Sequence, residues 1–145
     1  MSEPILYILM RNDLDSLNPG KAMAHAAHAA NQFQCDVERC HKKHPLWKMY
    51  QKWKGEYDFG VTVTLAAPMD VIEDRFGQIM HENNVFDSLM ENPEEIYMKG
   101  FVHDPSYPIR DGQVTHLIPL DTCAYLFCNR KSTISSYLSS FPLHP

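Results

Sequence analysis

The stretch from Asn18 to Ala29 constrains this chain more tightly than any other. Asn18 offers a side-chain oxygen to cap a helix, and Pro19 has the fixed backbone angle and missing donor that suit a first helical position. A helix starts there, with Lys21 in its first turn. The unpaired amides of a helix start carry roughly half a positive charge, and Lys21 adds a full one beside it. Lys21, His25 and His28 follow at offsets that share one helix face, while the alanines between them allow close packing elsewhere. The helix therefore has one polar stripe that begins at its positive end, suited to an anion or a developing oxyanion.

Around that helix the periodicity supplies a framework. Pro4 to Met10 is an apolar run rich in β-formers and reads as a buried strand feeding the helix, which extends to about Gln34. A polar break at His41 to His44 precedes a second helix from about Pro45 to Lys54. Phe59 to Leu65 alternates and is β-branched, so it reads as a second strand, closed by Pro68. Asp70 then caps a helix to about Glu82, with Val71, Ile72, Phe76, Ile79 and Met80 as its apolar face. Asn83 to Tyr107 is expected to be irregular, with one strand near Ile96 to His103. Thr122 to Cys128 reads as a buried strand, and Ser132 caps a last helix carrying Ile134, Tyr137, Leu138 and Phe141. Strand, helix, strand, helix implies an α/β layer with right-handed crossovers.

With 145 residues the chain fits one domain, long enough to bury roughly two-thirds of its unfolded surface, and no linker or repeat divides it. Cys35, Cys40, Cys123 and Cys128 show no framework of a small secreted scaffold, and Glu3 and Pro4 sit where a signal peptide would need basic and then apolar residues. A cytoplasmic protein with free thiols is the expectation. No apolar run approaches the roughly 20 residues that cross a bilayer.

The net charge of −5 is unevenly spread. Five lysines, Lys42, Lys43, Lys48, Lys52 and Lys54, lie between His41 and Lys54 without one acid, whereas Asp70 to Glu95 has eight acids against Arg75 alone. The molecule should be dipolar. Interleaved with Trp47, Tyr50 and Trp53, the basic stretch suits a phosphate backbone and a stacked base; its blander reading is a solvated helix face whose aromatics pack inward.

Two blocks of the chain resemble the peptidyl-tRNA hydrolases of the archaeal and eukaryotic type, called type 2. That family has a first strand ending in Arg-x-Asp-Leu and a helix opening Gly-Lys-x-Ala-Ala-Gln-x-x-His-Ala; Arg11, Asp13, Leu14, Gly20, Lys21, Ala24, His28 and Ala29 match in order and spacing, with His25 in place of the glutamine. The second block, Asp-x-Gly-x-Thr followed by x-Ile-x-Pro and a further threonine, is similar to Asp111 to Pro119 with Thr115, then Thr122, the glycine shifted by one to Gly112. Asp104 is an alternative acid, but Asp111 keeps the four-residue spacing to Thr115 and is preferred. The chain departs from the pattern between Cys35 and Lys54, which is longer and more aromatic, and between Asn83 and Pro108, which reads as an insertion or a rebuilt third strand. The resemblance implies a single domain with a mixed, mostly parallel sheet of about four strands and helices on both faces. It also implies cleavage of the ester between a peptide and the 3′-terminal ribose of tRNA, without metal or organic cofactor. Under it Lys21, His25, Asp111 and Thr115 form the catalytic set and Arg11, Asp13, His28 and Thr122 bind tRNA; the basic stretch adds Lys42, Lys43 and Lys48 to the expected tRNA contacts, and a homodimer is left open. The alternative is a noncatalytic module of the same fold that binds RNA, a nucleotide or a protein partner.

Ester cleavage needs an activated water and a stabilised oxyanion. Lys21 and the helix amides suit the oxyanion. An ordinary Asp is a weak base at neutral pH, so Asp111 is expected to orient water or Lys21, and Thr115 to position the water or the carbonyl. Each residue has a plainer role as well: a solvated lysine, a core histidine at His28, and a turn at Asp111-Gly112. His25, His28, Cys35, Cys40, His41 and His44 are dense enough to suggest zinc, but Cys-x4-Cys-His-x2-His is not the spacing of a zinc finger, and Cys123 and Cys128, five apart on a strand, should point to opposite faces.

Overall fold

The structure is a computed structural model that describes residues 3–56, 58–82 and 93–145. Strand β1, Pro4–Arg11, is the expected buried run, with Ile5, Leu6, Ile8, Leu9 and Met10 all in the core. Helix α1, Pro19–Glu38, starts where the capping pair predicts: the Lys21 amide donates to Asn18 Oδ1 at 2.9 Å. It runs beyond Gln34 because Val37 continues the buried stripe of Ala22, Ala29 and Phe33. Helix α2, Pro45–Gly55, is capped by His44, whose Nδ1 accepts from the Leu46 amide at 3.1 Å.

Strand β2, Val61–Ala67, begins two residues later than the alternation suggests. Asp58, Phe59 and Gly60 take positive φ angles of 50°, 76° and 62°, so they make the turn instead of the strand. Glycine is required at Gly60 for a second reason. A Cβ there would lie 2.3 Å from Cδ1 of Trp53, whose indole packs over it.

Helix α3, Met69–Glu82, buries Ile72, Phe76 and Ile79 as its spacing predicts. The Met80 side chain and residues 83–92 lie outside the described residues. A short 3-10 turn at Pro93–Glu95 leads into β3, Tyr97–Asp111, and β4, Val114–Asn129. Both strands are far longer than the sequence indicates, and β3 runs through Pro105 and Pro108. Ser132 caps the final helix α4, Thr133–Ser136, its Oγ accepting from the Ser135 amide at 3.1 Å. This helix is a single turn, yet Ile134 and Leu138 are buried as expected.

The four strands form one sheet in the order β2-β1-β4-β3. The expectation of a mostly parallel sheet is corrected here: only β1 and β2 run parallel, while β1 with β4 and β3 with β4 are antiparallel. A two-residue turn at Gly112 and Gln113 joins β3 to β4, and such a turn can only reverse the chain, whereas a parallel pair needs a long crossover. Gly112 has φ 62°, the sign a tight hairpin turn demands at its first central position.

Helices cover both faces. Alternation along β1 sends Leu6, Ile8 and Met10 to a core shared with α1 and α2, and Ile5 and Leu9 to one shared with α3 and α4. Cys123 joins the first core and Cys128 the second, on opposite faces as predicted. The basic helix α2 and the acidic helix α3 are therefore separated by the thickness of the sheet.

Candidate active site

The polar stripe of α1 faces the β3–β4 hairpin, and its three members meet there. The Lys21 ammonium lies over the Tyr107 ring, 5.3 Å from the centroid, and His25 packs beside both Tyr107 and His28, with ring centroids 6.2 Å and 5.6 Å away. Tyr107 is held in turn by Ser16, at 3.0 Å between hydroxyls. Across from the stripe, Thr122 Oγ1 shares a 2.9 Å hydrogen bond with His25 Nδ1, and Asp104 Oδ2 lies 3.9 Å from His25 Nε2. His25 is only 8% exposed and Thr122 is fully buried.

Two irregularities in the hairpin create this convergence. Between Val102 and His103 the pairing on β4 jumps from Cys123 to Asp121, leaving Thr122 as an extra residue. Strict alternation would turn Thr122 away from its neighbour Cys123, toward α3. The bulge lets both face α1, where the Cys123 thiol donates to the His25 carbonyl at 3.4 Å. Farther out, three steps on β3 from Asp104 to Tyr107 match two on β4 from Leu120 to Ile118, so β3 has its own extra residue around Pro105 and Ser106. There the Ser106 amide donates to Asp104 Oδ1 at 2.9 Å, fixing the carboxylate. The second bulge keeps Asp104 and Tyr107 on one side of the strand, and proline, lacking a donor, is tolerated within it.

His25, His28, Gln32, Val102, His103, Asp104 and Pro105 line a cavity of about 390 Å³ beside this cluster. Burial holds the His25 pKa below its ordinary 6.5; the Asp104 carboxylate pulls it back up, while His28 and Lys21 press it further down. The imidazole is therefore neutral at pH 7. Burial pushes the Cys123 thiol up to about 12, so it remains protonated beside the site.

Other expected site residues lie elsewhere. Asp111 and Thr115 stand at the exposed end of the hairpin, where Asp111 meets His116 at 3.8 Å. Four residues of strand, about 13 Å, separate Asp111 from Tyr107, over which the Lys21 ammonium sits. Asp111 closes β3 at the Gly112-Gln113 turn, close to its plainer reading, and the acid beside His25 is Asp104. Arg11 and Asp13 pair with each other at 2.7 Å; Arg11 also donates to the Asp121 carbonyl at 3.0 Å, and Asp13 accepts from the Met69 amide at 3.3 Å. Together they tie the end of β1 to β4 and to the start of α3. Arg11 donating to Asp13 holds that carboxyl below the usual range. Lys42, Lys43 and Lys48 are exposed beside and on α2, away from the cavity.

The sequence reading passed over Gln32, His103 and Tyr107. Gln32 had a signal, since it continues the stripe from His28 by one turn; its Nε2 donates to the Phe101 carbonyl at 2.8 Å. Tyr107 had none. Among the described residues no group of three His, Cys, Asp or Glu side chains is placed to hold a metal ion, and no helix is long and apolar enough to cross a membrane. Compared with known proteins, the chain matches no family model and no curated sequence.

Proposed function

We propose that the cluster hydrolyses an ester, and that the ester is the one joining a peptide to the 3′-terminal ribose of tRNA. The observation that supports this reading is a cavity lined by a neutral imidazole, His25, and a carboxylate, Asp104, with the buried Thr122 hydroxyl bonded to that imidazole and the Lys21 ammonium held nearby over the Tyr107 ring. The choice of tRNA comes from the resemblance of the two sequence blocks.

With Nδ1–H donated to Thr122, His25 presents the Nε2 lone pair toward Asp104 and the cavity. A water touching both groups gives one hydrogen to each and turns its own lone pair to the carbonyl carbon. As it attacks, its proton passes to Nε2, and the carbonyl oxygen takes the negative charge beside the Lys21 ammonium. Collapse of the tetrahedral intermediate expels the ribose oxygen, which takes the proton back from Nε2. Tyr107 holds Lys21 through its ring face and so fixes where the charge sits. Hydrolysis of an already activated ester needs little more.

Purified protein incubated with peptidyl-tRNA, with free tRNA scored against time, tests the reading. Lys21→Ala and Asp104→Asn should each cut turnover by a factor of roughly a hundred, whereas Asp111→Asn should leave it intact. Wild-type protein that binds tRNA and cleaves nothing would select the noncatalytic module instead.

A further inference from the structure

Strand β3 runs antiparallel to helix α1 and outlasts it. The Gln32 amide reaches the Phe101 carbonyl at 2.8 Å, Asp104 lies 3.9 Å from His25, and Tyr107 lies under Lys21, so the two elements stay in step as far as the helix start at Pro19. Past Tyr107 the β3–β4 hairpin continues as an arm to the Gly112-Gln113 turn, where Arg110 to Pro119 are all exposed. Cross-strand partners share a face, so Ile109, Val114 and Ile118 stand on the Tyr107 side of the arm, and Pro108, Thr115 and Leu117 on the other. Val114 is 57% exposed, Ile118 40% and Leu117 67%. Asp111 and His116 meet at 3.8 Å toward the tip, and nearer Lys21 the surface is Ile109 and Ile118. The two-residue turn makes Asp111 and Val114 a hydrogen-bonded pair, which sends the backbone groups of Pro108 and Arg110 to the free edge. Pro108 has no amide hydrogen, and the Ser106 amide is already donated to Asp104 at 2.9 Å, so an added strand would find few donors there. A ligand on the arm is held by its side chains against a face.

We infer that the Tyr107 side of this arm binds the acyl part of the ester and selects acyl groups with apolar side chains. The inference rests on the hydrolase reading, which fixes the direction of the substrate. The leaving oxygen takes its proton from His25 Nε2, on the side of the cavity, while the oxyanion lies by Lys21 and the Tyr107 ring. The alcohol therefore extends along α1 into the cavity, past His28 and Gln32. The acyl group leaves the carbonyl carbon in the other direction, over Tyr107 and out along Ile118, Ile109 and Val114. Polar groups line the path of the alcohol, and apolar ones the path of the acyl group. An apolar side chain next to the ester covers Ile118 and sheds water with it, whereas a polar one gives up its hydration without a partner. The contact lies beside the reacting carbonyl, so it orients the ester and is read in kcat/KM.

Adenosine esters that differ only in the acyl group, N-acetyl-leucyl against N-acetyl-seryl, test this with wild type, the double variant Val114→Ser, Ile118→Ser and the control Leu117→Ser. Wild type should prefer the leucyl ester by about tenfold in kcat/KM. The double variant should bring that ratio to about one, and Leu117→Ser, on the far face, should keep the wild-type ratio. All three side chains are exposed, and thermal melts check that the folds are equal. Cleavage of both esters by wild type at equal kcat/KM would overturn the acyl site and leave the hydrolase reading standing, as would equal loss of preference in the double variant and in Leu117→Ser. Sedimentation that finds wild type a dimer and the double variant a monomer would give the face to a second copy of the chain instead. Wild type that cleaves neither ester would defeat the hydrolase reading and the acyl site together.

Discussion

Thr122→Val is the sharpest probe of the site, because it removes one oxygen and almost no volume from a position with no solvent exposure. The hydroxyl makes a 2.9 Å hydrogen bond to His25 Nδ1, and the ring beside it is nearly buried, so the variant strands a polar nitrogen where water cannot replace the partner. Leaving a buried group unsatisfied costs about 1–3 kcal/mol. For a chain of this size each kcal/mol moves the melting temperature by about 3 °C, giving a drop of about 3–9 °C. The catalytic loss should exceed the stability loss. Without an acceptor for Nδ1–H the imidazole divides between tautomers, and a base that contributes a factor of roughly a hundred or more loses much of it. Thr122→Ser restores the oxygen and should recover turnover while paying a small packing penalty. Turnover on peptidyl-tRNA and thermal melts at pH 7 are the measurements. A valine variant with wild-type turnover would refute the role given to the His25 and Thr122 pair, whatever its melting temperature.

Further outcomes follow from the same geometry. His25 should titrate with a midpoint below 6.5 by imidazole NMR, moving lower in Asp104→Asn, which loses the carboxylate that raises it, and higher in His28→Ala. Because burial depresses that pKa, the unfolded chain binds the proton first: the stability linked to His25 is present above pH 6.5 and is lost as pH falls through the folded value, so melting temperature should decline from pH 7 toward 5. Gly60→Ala should lose at least about 1–2 kcal/mol from its left-handed backbone alone, with the overlap on Trp53 added, and denaturant midpoints will show it. Alkylation of native protein at pH 8 should mark the exposed Cys35, while Cys123 and Cys128, buried and each raised to about 12, react only after unfolding. Arg11→Leu should cost about 1 kcal/mol, since the pair is partly solvated, and should flatten the acid dependence below pH 4, where wild type loses the stability that a depressed Asp13 pKa supplies above its ordinary 3.8.

Features set by neighbours along the chain were legible in the residues. The Asn18 cap, the start of α1 at Pro19, the face shared by Lys21, His25 and His28, the buried runs of β1 and the end of β4, and the Ser132 cap all arise from spacings of a few residues. Fixed backbone angles and the 3.6-residue period act within one turn, so no distant contact is needed to decide them. The outward lysines and inward aromatics of α2 belong to the same class: helical spacing alone separates them.

Tertiary structure decided which acid and which hydroxyl meet the helix. Asp111 and Thr115 held the more regular spacing, yet a regular antiparallel hairpin extends them away from α1, and Asp104 and Thr122 arrive because one extra residue on each strand breaks the alternation. A bulge has no local signature comparable to a cap; it forms where packing against a second element repays the lost ladder bonds, and here that element is α1. Strand direction was equally out of reach, because a two-residue turn far from β1 set β3 against β4, and the antiparallel docking of β4 on β1 is a contact between strands more than a hundred residues apart. Sequence placed the groups on their elements, and the distance between elements belonged to the fold.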